Sequence, residues 1–95
     1  MFVVILSYTA PLAEIDAQVP AHAAWLDQQY ADGVFVASGR QVPRVGGVIL
    51  AVGVDKDELD HRLARDPFAQ HGLATYTVTQ FEATKVGQGL ERLTG

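Results

Sequence analysis

The chain predicts an α+β domain with the element order β-α-β-β-α-β, a ferredoxin-like arrangement with an antiparallel four-stranded sheet. Three observations predict it. Four runs are dense in β-branched and aromatic residues: Phe2 to Tyr8, Val34 to Ala37, Gly47 to Val52 and Leu73 to Ala83. Two stretches between them carry helix signals, one opening at Pro20 and one at Asp55. Turn residues interrupt the pattern at Asp32-Gly33, around Pro43 and Gly46-Gly47, and at Asp66-Pro67. Right-handed crossovers place the first and third strands side by side, with the second and fourth at the edges and both helices on one face.

The first run, Phe2 to Tyr8, alternates Phe2, Val4, Leu6 and Tyr8 with Val3, Ile5 and Ser7. Both sets are largely apolar, as in a strand covered on two sides. Pro11 suits the first position of a short turn, Leu12 to Ala17, and Pro20 suits the first turn of the main helix, where a missing N–H is harmless. Val19, Ala23, Leu26 and Tyr30 form the expected apolar stripe, with His22, Leu26 and Gln29 beside it. Gly33 is the expected left-handed residue after this helix. Val34 to Ala37 is the second strand, and Ser38-Gly39-Arg40 through Gly46 reads as a loop. In the third strand, Val48, Leu50 and Val52 face one way and Ile49 and Ala51 the other.

Asp55 followed by Glu58 has capping-box spacing and opens the second helix, with Leu59 and Leu63 as its buried stripe. The helix ends at Asp66-Pro67, because a residue before proline avoids the helical region. Phe68 to Gly72 reads as an irregular turn before the last strand. One domain, residues 1–84, is expected, with residues 85–95 as a C-terminal tail. Helices on one face leave the other face of an apolar sheet bare, and the economical cover is a second copy. A homodimer by sheet-to-sheet packing is therefore expected.

Bulk composition removes several classes of function. The chain has 95 residues, enough for one small domain, and 48% are hydrophobic, so a core can form. Its net charge is −4, and none of its 7 Lys and Arg precedes Arg40, so nucleic acid is not an expected partner. It has no Cys, hence neither disulfides nor thiolate chemistry. The apolar N-terminus is too short to span a bilayer and lacks signal-peptide features, so no membrane association and a cytoplasmic location are expected.

The residues able to carry chemistry are few. His22 stands near a helix start at the margin of the core, where an imidazole can exchange a proton near neutral pH. The same position suits a histidine that only packs or caps. Asp66 is a carboxylate where the dipole of the preceding helix gives it no help, which hints at another duty such as orienting an imidazole; a plain stop signal reads equally well. Ser38 and Gly39 offer a hydroxyl and an approachable backbone, or else merely a turn. Arg40 and Arg44 are the cations near this loop and suit a small carboxylate. Tyr8 and Tyr76 read as core aromatics, and His61 and His71 as surface residues. The histidine spacing matches no metal motif, and no metal or cofactor is expected.

Several segments together resemble the YciI-like (YCII-related) family. They are Pro20-Ala21-His22 with Trp25-Leu26, Gly33 through Gly39, Pro43-Arg44 with Gly46 through Ala51, and Asp66-Pro67-Phe68 with Gly72-Leu73. The resemblance spans Phe2 to about Glu82. It implies a ferredoxin-like fold that pairs into a dimeric α+β barrel, and His22 and Asp66 as a catalytic pair. It also implies a small acid–base enzyme, of lyase, isomerase or dehydrochlorinase type, acting on a small cyclic or aromatic acid. Ser38, Gly39 and Arg40 would then bind the ligand. Arg40 departs from the pattern, since many relatives carry proline after Ser-Gly. The alternative is a non-catalytic dimer that holds a small ligand in the same pocket.

Overall fold

The computed structural model describes residues 1–94. Its elements follow the predicted order, with two short helices added: β1 (Phe2–Tyr8), α1 (Leu12–Ala31), β2 (Phe35–Arg40), β3 (Gly46–Ala51), α2 (Lys56–Ala64), α3 (Pro67–Gln70), β4 (Ala74–Gln80) and a single 3-10 turn, Glu91–Leu93, in the tail. The sheet order is β2-β3-β1-β4, and every neighbouring pair is antiparallel. Gly95, the last residue of the expected tail, lies outside the described residues. Among those described, no helix is long and apolar enough to cross a membrane.

The alternation in β1 decides where the core sits. Phe2, Val4 and Leu6 are buried, and their cross-strand partners Ala51 and Ile49 are buried with them. Ile15, Leu59, Leu63 and Phe68 close this face from the helix side. Each such side chain contributes about 1.5–3 kcal/mol when taken from water. On the opposite face Val3, Ile5, Val48 and Leu50 are only half-buried, and a threonine row, Thr75, Thr77 and Thr79, runs alongside.

Four local expectations are corrected. First, the turn at Leu12 to Ala17 and the helix from Pro20 are one continuous helix with Pro20 inside it. An internal proline costs about 3 kcal/mol. The segment before it is held by Ile15, which is completely buried, and by the Asp16–Arg44 ion pair. Second, the buried stripe of α1 is rotated from the expected one. Ile15 and Gln29 are buried and Trp25 packs against the core, while Val19 and Tyr30 are partly exposed. A longer helix changes which residues share the inner face.

Third, Ser38-Gly39-Arg40 is strand rather than loop, paired with Ile49, Val48 and Gly47. Cross-strand pairing overrides the turn-like composition. Gly46 likewise opens β3 instead of closing a loop, one residue before the expected start at Gly47. Gly46 is required there: a Cβ on it would lie 1.8 Å from the Leu6 carbonyl oxygen. Fourth, Phe68 begins no irregular turn. Pro67 occupies the first turn of α3, a position that tolerates its missing N–H. The expected cap at Asp55 is present, its carboxylate accepting from the Glu58 amide at 2.8 Å. Gly33 has φ 75°, the left-handed region that ends α1.

Candidate functional site

The site is built by three elements that meet over the helix-covered face of the sheet. His22 stands on α1, two residues past Pro20. Asp66 is the N-cap of α3, and its side chain accepts from the Phe68 amide at 3.1 Å. A carboxylate that gains nothing from the helix before it thus serves the start of the helix after it. Tyr76 is on β4, in the register that faces the helices, opposite Leu6.

These elements bring His22 and Asp66 into a hydrogen bond, Nδ1 to Oδ1, of 2.7 Å. Asp66 is entirely buried, whereas the His22 side chain is 16% exposed. Tyr76 donates its hydroxyl hydrogen to Asp66 Oδ2 at 2.5 Å. Burial, and then the Asp66 carboxylate, push the Tyr76 hydroxyl far above its usual pKa, so it remains a donor. Asp66 therefore receives donors on both oxygens. As an acceptor-only carboxylate it requires the hydrogen on His22 Nδ1, which leaves Nε2 as the unprotonated ring nitrogen of neutral His22.

Phe68 fixes the ring itself. It stacks on the imidazole with centroids 4.1 Å apart and planes 8° from parallel. Tyr8 meets Phe68 edge-on at 6.0 Å. One residue pair, Asp66 and Phe68, therefore holds His22 by an edge and by a face.

His22 and Phe68 border a cavity of about 240 Å3 between α1 and the β2–β3 half of the sheet. Leu6, Val19, Leu26 and Ile49 supply its apolar wall, and Ser38, Gly39, Arg40 and Arg44 its polar one. The polar wall depends on a β-bulge. Phe35 pairs with Ala51, but Ala37 pairs with Leu50, so Val36 is a surplus residue. Residues opposite each other in a ladder share a face. Ser38 and Arg40 consequently align with Ile49 and Gly47, on the cavity side. Were the register to run on unshifted from Phe35 and Ala51, they would point away.

Of the sequence-derived candidates, His22, Ser38, Gly39 and Arg40 border one cavity, and Asp66 lies beneath it, bonded to His22. Ser38 makes no bond to that pair; its hydroxyl is 2.7 Å from the Tyr30 hydroxyl. Arg40 makes no side-chain hydrogen bond or close ion pair among the described residues, although its charge helps to lower the pKa of Asp16. Arg44 is engaged by Asp16, which raises its pKa and lowers that of Asp16. Sequence reasoning missed the stacking of Phe68 and the bond from Tyr76. The adjacency Asp66-Pro67-Phe68 was a usable signal for the first. For the second, the helix-facing parity of Tyr76 in its strand was the available clue.

Comparisons with known proteins agree with this geometry at the level of fold. No curated protein sequence matches the chain. A solved structure of 5-chloro-2-hydroxyhydroquinone dehydrochlorinase from Burkholderia phenoliruptrix AC1100, in complex with 2,5-dihydroxybenzoquinone, is similar at 22% identity and TM-score 0.69, covering 93% of this chain and 97% of that one. A cofactor-independent oxygenase from Streptomyces nogalater, SnoaB, is similar at 23% identity and TM-score 0.51, covering 92% and 94%. Residues 1–82 match the YCII-related domain, and the chain belongs to that family.

Proposed function

We propose that the protein is a small acid–base enzyme in which His22 moves a proton on a small cyclic or aromatic acid. The observation that carries this reading is the 2.7 Å bond between His22 and a wholly buried Asp66, at the wall of a cavity of about 240 Å3. Asp66 fixes the tautomer and stabilises the imidazolium that forms when Nε2 accepts a proton. Arg40, uncommitted and on the same wall, would receive the acid group, with the Ser38 hydroxyl and Gly39 backbone beside it. The fold likeness to a dehydrochlorinase solved in complex with 2,5-dihydroxybenzoquinone supports a site that handles small ring compounds.

The test is a turnover screen with hydroxylated quinones, chlorinated hydroquinones and small aromatic acids, followed by His22→Ala. Loss of about 10²–10⁴-fold in rate is expected for an active compound. Undiminished turnover in His22→Ala would remove the histidine from the reaction. A compound that binds and is released unchanged, with no turnover of any class, would favour the ligand-holding alternative.

The same reading includes a homodimer. Val3, Ile5, Val48 and Leu50 form a half-buried apolar centre on the face without helices. A second copy packed sheet against sheet would cover it with the least new chemistry. Light scattering is expected to give twice the chain mass, and Ile5→Lys to give the monomer. A wild-type monomer at high concentration overturns this part.

A further inference from the structure

We infer that Tyr76 is a positioning residue of the His22–Asp66 pair, acting through the hydroxyl hydrogen it places on Asp66 Oδ2. The inference rests on the reading of His22 as the proton-moving group and adds a residue to it. Asp66 Oδ1 takes His22 and the Phe68 amide, whereas Oδ2 has only Tyr76 among the described residues. A buried carboxylate oxygen without a donor is costly, and a 2.5 Å O–H···O contact lies in the range of a charge-assisted bond. The two oxygens share one negative charge. Whatever density the Tyr76 hydroxyl draws to Oδ2 is withdrawn from Oδ1, where the imidazole is held. A weaker donor at Oδ2 strengthens the grip on the imidazolium; a stronger donor loosens it. Tyr76 therefore sets the balance between a histidine that takes up a proton and one that gives it back.

Other charges near the chain of bonds are few. Arg40, Arg44 and Tyr8 line the same cavity as His22. Lys56 and Asp60 border a second cavity on which Tyr76 opens, and they are paired with each other at 2.8 Å. None of these touches Asp66. The hydroxyl of Tyr76 is the described side-chain group that can tune the carboxylate from the side opposite the histidine.

The experiment is an NMR titration of the imidazole nitrogens in the full chain without substrate. It compares wild type, Tyr76→Phe, and the chain carrying 3-fluorotyrosine at position 76. Fluorination makes the phenol more acidic and its hydrogen bond stronger, with little change in shape. The His22 midpoint is expected to move to higher pH in Tyr76→Phe, by up to about one unit for the loss of one such bond. It is expected to move to lower pH with fluorotyrosine, while the exposed His61 and His71 stay put. Movement of both variants in one direction, or of neither, assigns Tyr76 to packing alone and overturns the inference. If Tyr76→Phe does not fold, the fluorotyrosine shift decides. The titration needs no turnover, so its outcome is independent of whether any substrate is found for His22.

Discussion

Two polar clusters fasten the helices of this protein, and they are near mirror images. At one, the Arg62 cation serves three acceptors: Gln29 Oε1 and Asp32 Oδ2 at 2.8 Å each, and Glu58 Oε2 at 3.1 Å. At the other, the Asp66 anion serves three donors. The first ties α1 to α2, helped by Trp25, which donates to the Arg62 carbonyl at 3.1 Å. The second ties α1 to α3 and β4. What separates them is water. Arg62 is 24% exposed and its acid partners more so, whereas Asp66 is sealed. Solvent can replace a lost partner at the first cluster and has no ready access at the second. Equal numbers of bonds thus carry unequal weight, and only the sealed cluster borders the cavity where a reaction is proposed.

The largest expected difference comes from removing the two central charges. Asp66→Ala strands an imidazole, a backbone amide and a phenol in the interior, and a loss of about 3–5 kcal/mol in denaturant unfolding is expected. Arg62→Ala should lose about 1–2 kcal/mol, mostly from leaving buried Gln29 half-satisfied, with turnover unchanged. Comparable losses in the two variants would break the distinction.

Alkaline pH sharpens it further. The Tyr76 hydroxyl is raised by burial first and by Asp66 second. In the unfolded chain a tyrosine ionises near pH ~10. Below that pH the stabilisation is complete; above it the unfolded state releases a proton that the folded state keeps, so stability falls. Melting temperatures from pH 8 to 11 should therefore fall more steeply in wild type than in Tyr76→Phe.

The smallest effect lies at the acid end of the exposed cluster. Hydrogen bonding from Arg62 holds the Asp32 carboxyl below its usual value. Its contribution is present above the ordinary carboxylate range near pH ~4 and is lost as pH falls through the lowered folded value. Melting curves from pH 5 to 2 should show a slight acid sensitivity that Asp32→Asn removes. A large acid step at this residue would mean that the Arg62 cluster is less open to solvent than described.

Much of the frame was legible because strands announce themselves. The runs Phe2 to Tyr8 and Gly47 to Ala51 left little choice of element, and crossover handedness then fixed the sheet order. Pro20 misled because a local breaker signal competes with the burial of Ile15 a turn earlier, and burial is a tertiary fact. The bulge at Val36 was invisible for a different reason. Phe35, Val36 and Ala37 are all apolar, so nothing in their pattern marks which of them is surplus. His22 and Asp66 drew attention as single residues; their meeting across 44 positions of sequence was hinted at by the unfavourable place of Asp66 at a helix end and named by family resemblance. Tyr76 read only as a core aromatic because its ring does belong to the core and only its oxygen is engaged elsewhere.

The surplus residue in the edge strand has a further consequence. Because Val36 is unpaired, deleting it would leave Ser38 and Arg40 opposite the same partners, Ile49 and Gly47. Slipping the strand by one position instead would exchange them for Ala37 and Gly39, a wall of one methyl group and bare backbone. What this side of the hollow offers a guest is thus governed by parity: one residue added to the turn before Gly46 has the means to withdraw the Ser38 hydroxyl and the Arg40 cation from the lining, leaving Arg44 as its cation.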